Sequence, residues 1–203
     1  MICIHGLSKS FDDKVIFDNF SIDIADGDFV IFAGNSGCGK TTLLNMIGGL
    51  ENPDKGSIEV DGIDICKTKN KQDYFTYKVG FLFQNFALLE NKTVRQNLEL
   101  IQKKARTERT IPEVLEAVGL ADKENIKIYK LSGGEQQRVA LARLMLKKCD
   151  IILADEPTGS LDMGNANAVM DILRQLNKQG KTIIVVTHSE RIINFEKKVV
   201  RLG

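Results

Sequence analysis

Three stretches of this chain carry residue types suited to binding and cleaving phosphate groups. Gly34-Asn35-Ser36-Gly37-Cys38-Gly39-Lys40-Thr41-Thr42 fits the pattern GxxxxGK[ST] with a further glycine inside it. Such glycines let the backbone turn tightly and aim successive N–H groups at a phosphate, and a helix starting at the loop adds the positive end of its dipole. Lys40 then supplies a mobile ammonium for the β- and γ-phosphates, and the Thr41 hydroxyl is placed to ligate magnesium. Ile151-Ile152-Leu153-Ala154-Asp155-Glu156 is an apolar run that ends on two adjacent carboxylates. Asp155 is expected to hold magnesium through water, which leaves Glu156 free for other work. The third stretch, Leu131-Ser132-Gly133-Gly134-Glu135-Gln136-Gln137-Arg138, puts a hydroxyl and two glycines at the start of a helix. That is a second anion site, and Ser132 with Glu135 also fits a capping box; both uses draw on the same free N–H groups.

These residues need a scaffold that brings strand ends together. Asp28-Phe29-Val30-Ile31-Phe32-Ala33 before the glycine loop, Val79-Gly80-Phe81-Leu82-Phe83, the run at 151 and Thr182-Ile183-Ile184-Val185-Val186-Thr187 are short and apolar. They read as buried parallel strands, whose C-terminal edge is where open α/β sheets bind ligands. Thr41 to Leu50 reads as a helix, and so does Gly164 to Lys178 with Ala166, Val169, Met170, Leu173 and Leu176 on one face. Ile2 through Ile31 alternates apolar and polar residues, and Gly56 to Ile65 reads as two strands about an Asp-Gly turn, so an antiparallel patch should flank the parallel core. Helical patterns dominate from Thr93 to about Lys148, with Pro112 in a first turn and Gly119 as a stop. The expectation is a single α/β domain over 1–203, with a helical subdomain inserted at about 90–148, and a final strand at Val199 to Leu202.

Composition narrows the function. At 203 residues and 43% hydrophobic, the chain has one domain's worth of material. Lys+Arg 28 against Asp+Glu 27 leaves no global basic field to suggest nucleic acid, and the local basic runs at 102–109 and Lys197-Lys198 read as solvated faces. Cys3, Cys38, Cys66 and Cys149 show no CxxC pair and no metal-ligand spacing, which fits a reducing cytosol, and Cys38 reads as a small filler within the glycine loop. No signal peptide and no run of about 20 apolar residues is present, so any membrane role must come from a partner.

In this order the motifs resemble the nucleotide-binding subunit of an ATP-binding cassette (ABC) transporter, over essentially the whole chain. The resemblance implies a P-loop ATPase fold, with ATP and Mg2+ as ligands. It makes Glu156 the group that polarises the attacking water, Gln84 the Q-loop residue that contacts magnesium and that water, and His188 the switch histidine that reaches the γ-phosphate. Phe11 falls where the family places an aromatic under adenine, and Pro157-Thr158-Gly159-Ser160-Leu161-Asp162 matches its D-loop. The family closes Ser132, Gly133 and Gly134 onto ATP held by the opposite subunit, which implies a homodimer in the ATP-bound state. It also implies an integral membrane permease subunit as partner and a peripheral place on the cytoplasmic face of the cell membrane, with no insertion of this chain itself. Gln84-Asn85-Phe86-Ala87-Leu88-Leu89 with Asn91-Lys92-Thr93-Val94 is similar to the branch serving lipoprotein release, macrolide export and bacteriocin or antimicrobial-peptide export and resistance. Leu88 or Leu89 is the expected anchor for the permease. The alternative is a soluble or cell-division-type ABC ATPase not engaged in transport; a non-hydrolysing scaffold is disfavoured by Glu156.

Overall fold

The computed structural model describes residues 1–68, 71–159, 161–196 and 198–203, so Ser160 of the expected D-loop and Lys197 lie outside the described residues. Among the described residues nine strands form two sheets. Strand β1 (Ile2–Phe11), β2 (Lys14–Ile24), β4 (Lys55–Val60) and β5 (Ile63–Asp64) make an antiparallel sheet in the order β2-β1-β4-β5. Strand β3 (Phe29–Ala33), β6 (Val79–Leu82), β7 (Ile151–Asp155), β8 (Thr182–Thr187) and β9 (Lys198–Arg201) make a parallel sheet in the order β6-β7-β8-β3-β9.

The helices are α1 (Lys40–Ile47), α2 (Lys71–Asp73, continued by a π-helical turn over Tyr74–Lys78), α3 (Val94–Glu99), α4 (Ile111–Ala117), α5 (Gly133–Leu146), α6 (Met163–Lys178) and α7 (Glu190–Phe195). Period-two alternation divides the parallel sheet between two cores. Val30, Phe32, Leu153, Ile184 and Val186 face the first, where Leu43, Leu44, Met46 and Ile47 of α1 pack beneath the antiparallel sheet. Ile31, Ala33, Ile152, Ala154, Ile183 and Val185 face the second, built with α3 to α7. Burial on both faces is why these strands read as continuous apolar runs.

The helical segment between β6 and β7 starts its three α-helices with capping boxes at Thr93/Gln96, Thr110/Glu113 and Ser132/Glu135. Pro112 lies in the first turn of α4, and Gly119 sits beyond it at φ 68°. Only three of its elements are α-helices; short 3-10 turns supply the rest. Asp61 (φ 52°) and Gly62 (φ 77°) form the expected hairpin turn, although β5 has only two residues. Helix α1 stops at Ile47 rather than Leu50, where Gly48 caps it and Gly49 (φ 73°) leads the chain away.

Candidate nucleotide site

Parallel register assembles the site. Ala33 pairs with Thr187, Asp155 with Val186 and Leu82 with Ala154, so the residues following β3, β7, β8 and β6 emerge along one edge of the sheet. A cleft of about 610 Å3 opens there, lined by the loop residues Asn35, Ser36, Gly37 and Gly39 to Thr42 together with Gln84, Glu156, His188 and Glu190, but not by Cys38. Gly39 N-caps α1 at φ 98°, where a side-chain Cβ would stand 2.3 Å from Ile16 Cγ2. With no side-chain acceptor at that cap, the first-turn N–H groups of α1 are left for a ligand.

Within the cleft, Lys40 is buried and its ammonium donates to the carbonyls of Gly34 and Asn35, both at 2.8 Å. Thr41 Oγ1 donates to Asp155 Oδ1 at 3.1 Å. Asp155 is also buried; burial raises its pKa, the neighbouring Glu156 charge raises it further, and Thr41 and Lys40 partly counter this. A desolvated carboxylate next to a hydroxyl, with the Gln84 amide lining the adjoining cavity beside Asp155, is a set of hard oxygen donors that suits Mg2+. Glu156 sits at φ 45° and its N–H donates to Val186 O at 3.0 Å. Its Oε2 accepts from Thr187 Oγ1 at 2.9 Å and its Oε1 contacts His188 Nδ1 at 2.7 Å. The His188 side chain remains largely exposed, so it is free to turn toward a ligand.

Other expected residues lie elsewhere. Phe11 is exposed at the end of β1 outside the cleft lining, its ring under the Lys9 ammonium at 5.0 Å. Ser132 and Gly133 are exposed at the start of α5 and do not line this chain's own cleft. Gly134 has a packing reason of its own: a Cβ there would meet the Asn165 amide at 2.7 Å. Cys38 is partly buried against the first core, as a filler should be. In the Q-loop segment Phe86 and Leu88 pack on the second core while Leu89 is exposed.

Several contributors were not found from sequence. Ile16 packs over the glycine loop, Lys14 Nζ donates to Gly37 O at 3.1 Å, and Glu190 enters the cleft from α7. Gln137 Nε2 donates to Pro157 O at 2.8 Å, tying α5 to the loop after Glu156. Arg143 of α5 donates to the carbonyls of Ala87 (2.6 Å) and Phe86 (3.0 Å), both residues in the left-handed region at φ 48° and 61°. Each lies on a different element from the residue it serves, so no local motif marks it.

Comparison with known proteins agrees with this geometry. The ABC transporter family matches residues 17–159. An ABC transporter ATP-binding protein of Methanocaldococcus jannaschii is 40% identical over 195 residues, covering 93% of this chain and 87% of that protein. The macrolide export ATP-binding/permease protein MacB of Aggregatibacter actinomycetemcomitans is 41% identical, covering 92% of this chain but 30% of its own length. Among solved structures, the dimeric bacterial ABC transporter cassette MJ0796 superposes with a TM-score of 0.89 at 34% identity, covering 100% of this chain and 94% of that one. A post-hydrolysis state of the same cassette, bound to ADP and Pi, matches at a TM-score of 0.88. Fold, cleft and relatives together place this chain in the ABC transporter family, as an ATP-binding subunit of the branch that includes the macrolide export ATPases.

Proposed function

We propose that the chain hydrolyses MgATP at a site completed by a second copy, and that the cycle drives a separate membrane permease in export of peptide, lipoprotein or drug-like cargo. The observation that carries this reading is the gathering of Lys40, Thr41, Gln84, Asp155, Glu156 and His188 at one sheet edge, while Ser132 lies outside that cleft on an exposed helix start.

The loop N–H groups and Lys40 hold the phosphates; on binding, the ammonium exchanges its two carbonyl acceptors for phosphate oxygens. Thr41 and Asp155 would hold Mg2+, with Gln84 at the adjoining cavity, and the ion would supply charge neutralisation of the phosphates. Glu156 accepts the proton of the attacking water, a step commonly worth about two to four orders of magnitude. Thr187 fixes one carboxylate oxygen, and the other becomes available when His188 leaves Glu156 for the γ-phosphate. Phe11 supplies an exposed ring for adenine. Ser132, Gly133 and the α5 N-terminus of the partner copy close on the γ-phosphate, so loss of that phosphate removes part of the dimer interface. The dimeric cassettes among the structural relatives support this arrangement.

The permease contact is assigned to the groove between the β6 edge and the inserted helices. It has a volume of about 370 Å3, and Phe75, Phe81, Phe83, Leu100 and Ile101 contribute apolar wall. Leu89 is the exposed leucine of the Q-loop segment. Leu89 does not itself line the groove but is exposed on the same segment as its lining residue Ala87, and Leu89→Asp is expected to retain folding and basal hydrolysis while losing co-purification with the permease. On this reading the chain sits at the cytoplasmic face of the membrane through its partner; among the described residues no helix is long and apolar enough to cross one.

Mixed dimers test the shared site. Pairing Ser132→Arg copies with Lys40→Ala copies confines both lesions to one of two composite sites and leaves the other intact. Recovered hydrolysis supports sharing. No recovery, with mixed dimers demonstrated, rejects it.

A further inference from the structure

The solvent face of the antiparallel sheet carries a second cluster of ligating side chains, remote from the nucleotide chemistry. In β1, Ile2 and Ile4 point into the first core, so Cys3 and His5 point outward two residues apart. Asp23 of β2 stands in register with Cys3, directly across the ladder. The Cys3 sulfur, an imidazole nitrogen of His5 and a carboxylate oxygen of Asp23 all lie within 4.8 Å of one another. On the other side of Cys3, Glu59 of β4 is also in register and adds negative charge.

We propose that Cys3, His5 and Asp23 form a Zn2+ site on the outer face of this sheet. Two ligands at i and i+2 on one strand, with a third directly across the ladder, share one face at the spacing of neighbouring side chains. Across a tetrahedral zinc with bonds of 2.0–2.3 Å, ligand atoms stand about 3.5 Å apart. From separations within 4.8 Å, side-chain rotation brings the ligand atoms to that spacing while the three Cα positions stay fixed in the ladder. The donor set of one thiolate, one imidazole and one carboxylate suits zinc; magnesium and calcium prefer all-oxygen shells. Water fills the fourth position beside Glu59, and the thiol proton passes to buffer as the thiolate ligates. Bound zinc would clamp β1 to β2, the sheet that covers the core beneath α1. None of the three residues lines the ATP cleft, so the site is distinct from the Mg2+ position.

The test uses the full chain, reduced, free of any affinity tag and stripped with chelator, then titrated with Zn2+ by calorimetry and with Co2+ by absorption. One equivalent of zinc should bind, and cobalt should give a thiolate-to-metal charge-transfer band. Cys3→Ser should abolish that band, and His5→Gln and Asp23→Asn should each weaken zinc binding by about tenfold or more. Cys66→Ser, on a cysteine outside the cluster, should leave both signals intact, and Cys3→Ser should keep wild-type ATP binding as evidence of folding. If Cys3→Ser does not fold, the His5 and Asp23 variants carry the decision. Absence of stoichiometric zinc binding overturns the proposal. So does binding that survives Cys3→Ser without a thiolate band, which would put the metal at another donor set such as His188 and Glu156.

Discussion

Replacing Arg143 by Met keeps the length and helix propensity of the side chain but removes the guanidinium donor to the carbonyls of Phe86 and Ala87. A hydrogen bond involving a charged group is worth about 1.5–3 kcal/mol. Arg143 is only half-buried, although burial lowers its pKa, so the low end applies to each bond, about 3 kcal/mol for the two. Those bonds hold two non-glycine residues at positive φ, each storing about 1 kcal/mol of strain at the low end of the usual range. Relaxation of both residues offsets about 2 kcal/mol, leaving about 1 kcal/mol of net anchoring for the segment that carries Gln84, or about fivefold in rate. Arg143→Met should therefore lower kcat for MgATP about fivefold, leave ATP affinity within about twofold, and reduce Tm by about 2–4 °C. Arg143→Lys should fall between, since one ammonium cannot match the guanidinium fork. Steady-state phosphate release, equilibrium ATP titration and thermal melting read the three quantities. A fall in Tm with kcat unchanged would refute the claim that Arg143 positions Gln84 and reduce it to a packing contact.

Lys40→Ala should weaken MgATP binding about a hundredfold, from loss of two charge-assisted contacts to phosphate, as measured with a fluorescent ATP analogue; unchanged affinity would remove the loop from the site. Glu135→Gln keeps the capping box but loses the charge. The Glu135 pKa is lowered, chiefly by the Ser132 N–H bond and against some burial, so its contribution is present above the ordinary glutamate pKa and is lost as pH falls through the lower folded value. The variant should be less stable by about 0.3–1 kcal/mol at neutral pH and should converge with wild type in denaturant melts as pH falls well below about 4. Asn97→Ala should cost about 1–3 kcal/mol in the same melts, because the buried amide bonds both the N–H and the carbonyl of Leu89 and the carbonyl of Thr93.

Much of the fold is legible in the sequence because its signals are local. The glycine loop lies between an apolar strand and a helix, and the runs at 151 and 182 are apolar on both faces, which in a short segment implies a covered parallel strand. Their shared C-terminal edge follows from parallel pairing, and it is this edge that brings Glu156 and His188 to 2.7 Å. Less is legible where the deciding partner is remote. Leu88 and Leu89 are identical in sequence terms, yet Leu88 packs against α-helical core and Leu89 does not. Nothing near Ile16 says that it covers Gly39, and nothing near Arg143 says that it reaches a loop 56 residues away. Gly134 reads as a phosphate-approach glycine, whereas Asn165 supplies a steric reason for it regardless of ligand. Phe11 is exposed outside the cleft lining, to which Ile16 contributes instead.

Phosphate release by the Glu156→Gln variant tests the central claim most directly. The amide keeps the shape of the side chain and its contact with Thr187, but it cannot accept the proton of water. The account predicts that MgATP binds with wild-type affinity, that turnover falls by about two orders of magnitude or more, and that dimer accumulates by light scattering. Hydrolysis by Glu156→Gln at the wild-type rate would contradict it.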